Sequence, residues 1–461
     1  MGAKSLMYSE LRNEAAHPRA AKYSAGEIQA LKERDNTTNI GYLARVYAIM
    51  SATIALTVWC ALAAIDGRLS WAIAVPVSAL AVIIMGASQH QLGGVIHEGT
   101  HYILFADRKM SELVSDWFAA FPIYTSTYAF RIHHLAHHQF VNDPERDPNF
   151  DQAKESGHWL DFPIAHIDFL WAIARLLWLP NLVRYIAARA KYSAIGVDTN
   201  PYADTSHKAS RWVVRMGVLF ALGAPVASIL LLGMKEPFWA AGMVFALWAI
   251  VCVYYAAIPE SHFQKNKIDP VISHRATAIG RITWLAIVYG FVTAMEIIYD
   301  VRAWSFFGLL WILPLFTTFP LFMILREWIQ HGNADRGRLT NTRIFLVNNP
   351  LVRYAVFPWG MDYHLPHHLF ASVPHYKLKQ LHEVLLRDPE YREKGVVVEG
   401  WKNAPQPASG YPTIVEVLGP TCAGHSTENH VDDTTLELAD VNDKAGVQRQ
   451  IAASRLQAHR Q

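Results

Sequence analysis

Cysteine is nearly absent from this chain of 461 residues: Cys60, Cys252 and Cys422 lie far apart and form no C-x-x-C pair. That excludes a disulfide framework, a cysteine-rich zinc module and a four-cysteine iron–sulfur centre. Charge is scarce too, at 17% of residues, against about 25% in soluble domains. The 41 Lys and Arg nearly balance the 39 Asp and Glu, for a formal net charge of +2. No strongly basic surface of the sort that nucleic acid requires is expected from such a balance. The chain shows no internal repeat of fixed period. What it holds instead is apolar sequence, 52% of residues, and 22 histidines that are clustered rather than scattered.

The apolar residues gather into runs. A helix crosses about 30 Å of hydrocarbon with about 20 apolar residues, and runs of that length fall at 46–65, 70–96, 212–232, 237–258, 281–299 and 303–325. They read as three hairpins. The run 281–299, with Arg281, Glu296 and Gly290, is the weakest, so four to six spans are expected. The first apolar run begins only after Arg45, too late for a cleavable signal peptide. Two further stretches, Leu113–Phe130 and Ile164–Ala188, are interrupted by Pro122 and by Asp168, Arg175, Pro180 and Arg184, and read as amphipathic helices at the membrane interface. Three regions follow: a cytosolic N-terminal segment over 1–45, a membrane catalytic domain over 46–412, and a polar, disordered tail over 413–461.

Lys and Arg are distributed unevenly. The loops Asp66–Ser70, Gly233–Pro237 and Asp300–Ala303 hold a single one each, whereas the N-terminal segment, 102–210, 259–280 and 326–461 hold nearly all the rest. This bias places the second set of segments in the cytosol. Every dense histidine group lies on that same side, and an even number of spans separates one group from the next, so the groups share a face of the membrane.

The second apolar run continues into HEGTH, with His97 and His101 four apart on one helical face. RIHHLAHHQF supplies His134, His137 and His138 as H-x-x-H-H, with His133 one place earlier, and YHLPHHLF repeats the spacing with His364, His367 and His368. His331, in REWIQHGN, follows the last run. Neutral imidazole is a good ligand for first-row metals, and crowded histidines avoid mutual repulsion when a metal holds them deprotonated. Eight histidines, or nine with His331, exceed the needs of one four-coordinate metal and suit two metals in one site. HEGTH is also H-E-x-x-H, the motif of zinc peptidases, in which Glu98 would be the general base. That alternative leaves both H-x-x-H-H groups without a task. Glu98 is better read as the hydrogen-bond partner that fixes a ligating imidazole. His90 is assigned to helix packing and His133 to support of a ligand. His158, His166, His262, His274, His375 and His382 are assigned to the cap or the surface. Asp143, Asp147 and Asn142 either orient ligands or cap turns.

Taken together, HEGTH, HLAHH and HLPHH resemble the three histidine boxes of the integral-membrane fatty acid desaturase and hydroxylase superfamily. The resemblance runs from Gly93 to His382 and includes NDPERDP, HGN and HLFASVPHYKLKQLH. It implies an all-α integral membrane fold in which transmembrane hairpins and interfacial helices carry a cytosolic histidine-rich cap with a di-metal site. It further implies two non-haem iron ions held by His97, His101, His134, His137, His138, His364, His367 and His368, with dioxygen as co-substrate. Stearoyl-CoA desaturase-like members carry an asparagine acting through water after the last span, where this chain has His331, which leaves open whether His331 binds iron directly.

The activity so implied is oxidation of an unactivated C–H bond in a lipid or acyl chain, with desaturation first. Hydroxylation of a lipid, alkane or carotenoid is the alternative, and a membrane zinc protease the remote one. Each turnover needs two external electrons, and the chain shows no H-P-G-G haem core, no ferredoxin cysteines and no dinucleotide fingerprint. A separate donor is therefore expected, a ferredoxin or cytochrome b5 with its reductase. Absence of a retrieval signal and of a fused haem domain favours a bacterial inner membrane over the endoplasmic reticulum.

Overall fold

A computed structural model describes residues 23–432, apart from 192–199, 205, 207–208, 404–408, 423–427 and 429. Among these residues, six helices are long and apolar enough to cross a membrane: α1 (Thr38–Ile65), α2 (Trp71–Thr100), α3 (Arg211–Gly233), α4 (Pro237–Ala257), α5 (His274–Tyr299) and α6 (Ala303–His331). The upper end of the expected range is therefore the observed one. Two helices begin well before their apolar runs, α1 at Thr38 and α5 at His274, and two run on past them, α2 to Thr100 and α6 to His331, because a helix continues through polar turns once these emerge from hydrocarbon. The extra turns of α5 rest on a local signal, since the Ser273 hydroxyl accepts the Ala276 N–H and caps it.

α2 lies between α1 and α6, while α3, α4 and α5 pack on one another. Two glycines let α2 approach its neighbours. A Cβ on Gly86 would lie 2.8 Å from the backbone nitrogen of Phe319 on α6, and one on Gly94 would lie 2.4 Å from the Trp359 ring. The outer faces keep their large apolar residues exposed: Leu56 and Trp59 on α1, Leu219 on α3, Val253 on α4, and Phe291 on α5. A lipid solvent makes that pattern favourable.

Neither stretch assigned to the interface is one continuous helix. Leu113–Phe130 breaks at Pro122 into Arg108–Ser115, a π-turn over Asp116–Ala120 and a short 3₁₀ turn, before Ser126 caps a new helix, Thr127–Gln139. Ile164–Ala188 splits into His166–Leu176 and Leu179–Ala190, with Pro180 in the first turn of the second. Ile167, Trp171, Leu177, Trp178 and Val183 remain exposed along this pair, as interfacial helices require.

Beyond α6 the chain forms a cap. Strand β1 (Arg343–Phe345) pairs in parallel with β2 (Val396–Val398), and Ile344 bridges to Tyr363, the residue before the third histidine box. The polar tail begins later than expected, because Thr413 caps the helix Ile414–Leu418, whose Val417 and Leu418 are buried in the cap core. The rest of that tail, beyond Asp432, lies outside the described residues, as do residues 1–22 of the N-terminal segment.

Candidate metal centre

Four short stretches bring the histidines together. His97 lies in the last turn of α2 and His101 is its C-cap; His134, His137 and His138 lie on Thr127–Gln139; His331 ends α6; and His364, His367 and His368 lie on the helix His364–Leu369. Two buried arginines hold these stretches in place. Arg131, on the same helix as the second box, donates to the Thr100 and Gly99 carbonyls at 3.0 and 2.8 Å and pairs with Glu112. Arg343, at the start of β1, donates to the Ile329 and Gly332 carbonyls at 2.9 and 2.5 Å. Each arginine satisfies carbonyls that a helix leaves free at its carboxyl end, where positive charge is favoured. The ends of α2 and α6 are thereby clamped to the rest of the site.

All nine histidines converge, in two groups. Ring nitrogens of His97, His101, His134, His138 and His367 lie within 4.8 Å of one another, and so do those of His137, His331, His364 and His368. Each H-x-x-H-H box is divided between the groups. The i and i+4 residues point nearly the same way on a helix, while i+3 lies about 100° from i+4, so His137 parts from His134 and His138, and His367 parts from His364 and His368.

The spacing suits metal ions. Nε2 atoms approach at 3.1 Å (His101 to His134), 3.0 Å (His134 to His138), 3.1 Å (His138 to His367), 3.0 Å (His331 to His364) and 3.1 Å (His364 to His368). Metal–imidazole bonds of roughly 2.1 Å at right angles put adjacent nitrogens about 3.0 Å apart. When the Nδ1 atoms carry the protons, the facing Nε2 lone pairs repel across that distance unless a cation lies between them. The titration of the cluster agrees: burial, followed by neighbouring imidazoles, holds His134, His138, His364 and His368 well below the usual histidine range, and burial with the Arg131 charge holds His101 at about 3. These rings are neutral bases with lone pairs available to a metal.

Several partners orient them. Asp147 accepts from His137 Nδ1 at 2.9 and 3.0 Å while its two oxygens also accept the backbone N–H groups of Asn142 and Asn149, each at 2.9 Å. Burial, the largest influence, lowers His137 and raises Asp147; the Asp147 carboxylate, with Glu327, more than restores His137, which ends above its usual value. Asp147 thus combines the two roles left open by the sequence, since it also caps Pro148–Ser156. His331 Nδ1 faces the Asn341 carbonyl at 3.2 Å, which turns its Nε2 toward His364. His133 bonds to Asn149, and Asn149 donates to Glu327 at 2.8 Å. Glu98 is fully buried; its Oε2 accepts the His375 backbone N–H at 3.0 Å, and its Oε1 lies 3.5 Å from His97 Nδ1. The direct imidazole hydrogen bond expected of Glu98 is therefore replaced by a backbone one. His158, His375 and His382 are buried cap residues, with His375 bonded to Asn39 and His382 to Tyr391. Asp143 pairs with Arg146 and Arg336 and has no bond to a histidine.

Composition alone did not disclose a chamber of about 1080 Å³, lined by α2, α3, α5, α6 and Leu179–Ala190, which reaches His97 through Ile96, Gly93 and Phe319. A smaller pocket of about 280 Å³ lies at His331, Asp147 and Glu327. Glu327, Asn149, Arg131 and Arg343 were not singled out by sequence, and the one available signal was position: Glu327 precedes His331 by one helical turn.

A multi-pass helical membrane protein with a clustered-histidine site of this kind defines the class. The family description "Fatty acid desaturase" matches residues 69–292 and 269–399, and the chain belongs to that family. It is also similar to the dihydrorhizobitoxine desaturase of Bradyrhizobium elkanii, at 23% identity over 394 residues, covering 83% of this chain and 85% of that protein.

Proposed function

We propose that this desaturase-family oxidoreductase is a non-haem di-iron enzyme that uses dioxygen to desaturate an acyl or lipid chain. The observation that carries the reading is the pair of histidine groups, each with ring nitrogens within 4.8 Å, one of which reaches through His97 into an apolar chamber of about 1080 Å³. His97, His101, His134, His138 and His367 would hold one iron, and His137, His331, His364 and His368 the other, so that His331 is a direct ligand. When bound, the irons supply the dioxygen chemistry that removes hydrogen from an unactivated C–H bond.

The protein's own residues do the rest. Asp147 and the Asn341 carbonyl keep His137 and His331 in the tautomer that directs Nε2 to the site. Leu285, Ile282, Phe307, Phe316 and Phe319 line the chamber and exclude water from the substrate, which protects a reactive intermediate from side reactions. The name of the Bradyrhizobium relative records a desaturation, which favours loss of two hydrogens over oxygen insertion. Electrons come from a separate ferredoxin or cytochrome b5 with its reductase. The Lys and Arg bias supports a cytosolic site, in a bacterial inner membrane.

Two measurements test this. Purified full-length protein should contain about two irons per chain; one zinc and no iron refutes the reading. Expressed with a compatible donor, it should yield lipids lighter by two hydrogens, whereas a gained oxygen identifies a hydroxylase. His364→Ala, His138→Ala and His331→Ala should lose iron and activity, and His262→Ala should retain both.

A further inference from the structure

The chamber beside His97 is apolar except at a few points, and the charge at those points is of one sign. Arg189, Arg281 and Arg326 line it, and among the described residues no Asp or Glu does. None of the three is bonded to a carboxylate among the described residues, and the Arg326 Nε is buried without any hydrogen bond. The adjacent Glu327 carboxylate attracts the Arg326 and Arg189 charges but bonds directly to neither; it accepts from Asn149 and borders the smaller pocket. A cation with no anion bonded to it is disfavoured in apolar surroundings, and a guanidinium presents a planar fork that matches an oxyanion.

The arginines also lie at a defined depth. The Arg189 guanidinium sits 5.1 Å over the Phe130 ring, and Phe130 stacks on His134 with centroids 5.1 Å apart and planes at 14°. Arg326 precedes His331 by five residues on α6, roughly 7.5 Å along the axis. Both therefore belong to the end of the chamber nearest the histidine groups, while the far end is lined by Leu222, Pro225, Val226 and Ile229 of α3.

We propose that Arg326 and Arg189 bind the anionic group of the substrate, a carboxylate or a phosphate, inside the chamber. The substrate class is then an anionic amphiphile oxidised within a few bonds of its charged end, its apolar part directed toward α3. A neutral chain threaded past the site would leave both guanidinium forks without a bonded anion. This rests on the reading of the chamber as the substrate site of the oxidase, and the test separates the two.

Full-length, iron-loaded protein in detergent is titrated calorimetrically, without dioxygen or donor, with octanoate, octyl phosphate and 1-octanol. Binding without turnover is read independently of desaturation, and failure of the oxidase reading appears instead as missing iron. Octanoate or octyl phosphate should bind more tightly than 1-octanol, and whichever anion binds better identifies a carboxylate or a phosphate head. Arg326→Gln should weaken the anion by about tenfold or more, as for loss of a charge-assisted hydrogen bond, with 1-octanol unchanged and Arg326→Lys intermediate. Equal binding of all three ligands, or anion affinity unchanged in Arg326→Gln, overturns the proposal. If Arg326→Gln does not fold, as judged by lost iron and aggregation, Arg189→Gln decides on the same criteria.

Discussion

Asp147→Asn tests how firmly the second histidine group depends on the residue behind it. The substitution preserves shape, and asparagine is as good an N-cap as aspartate, so the helix Pro148–Ser156 should persist. What changes is the hydrogen bonding. Each carboxylate oxygen accepts both from His137 Nδ1 and from a backbone N–H, Asn149 on one side and Asn142 on the other. Whichever way the amide is turned, its NH₂ faces a backbone donor that had an acceptor, and the charge that held the His137 proton is gone. A hydrogen bond to a charged group contributes about 1.5–3 kcal/mol, which corresponds to a loss of about 10–100-fold in affinity, the range found when partners of metal-bound histidines are removed. The loss should be confined to the group containing His137, His331, His364 and His368, so one iron should leave before the other. Iron per chain, followed by mass spectrometry across a chelator series, reads this directly. Asp143→Asn is the matched control, because Asp143 pairs with Arg146 and Arg336 and not with a histidine. Iron retention in Asp147→Asn equal to that of the control would refute the reasoning.

Arg131→Met should be far more disruptive than its position outside the histidine boxes suggests. It leaves Glu112 buried without its cation and frees the Gly99 and Thr100 carbonyls, a loss of about 3–5 kcal/mol, seen as a lower yield of folded protein and a lower melting temperature; wild-type melting would contradict the clamp. Asp116 governs a pH dependence. Burial, with the Glu112 carboxylate, pushes its carboxyl up to about 7. A folded value above the unfolded one means the protonated form is favoured by folding, so stability falls as pH rises from about 4 to about 7 and the contribution is absent above that range. Asp116→Asn, which keeps an oxygen for the Thr127 N–H, should raise stability at about pH 8 by on the order of a few kcal/mol, read as a higher melting temperature, and change it little at about pH 4. An equal effect at both pH values would contradict this.

Much of the fold was legible because membrane spans and helical periodicity are local properties. Apolar runs of sufficient length mark spans whatever surrounds them, and the span over 281–299, weakened by Arg281 and Glu296, is a helix all the same because Ser273 caps it and α4 packs along it. Pro122 and Pro180 announced breaks in the two interfacial stretches, but whether a break ends a helix or bends it depends on packing. The tail was placed too early at Thr413, because Val417 and Leu418 form too short an apolar run to stand out until a core receives them.

The histidines divide along the same line. Their number, their H-x-x-H-H spacing and their common side of the membrane follow from the chain alone, since residue type, helical pitch and span parity need no tertiary contact. Which imidazole shares a group with which did not follow. His137 joins His331, His364 and His368, while His367 joins His97, His101, His134 and His138, because that pairing depends on how four helix ends are rotated against one another. Arg131 and Arg343 set those rotations from positions that carry no motif. The three arginines of the chamber, far apart in sequence, acquire their common meaning only where α3, α5, α6 and Leu179–Ala190 enclose a shared volume. Local pattern determined what kind of centre this chain can build; long-range packing decided how its histidines are grouped and what charge lines the chamber.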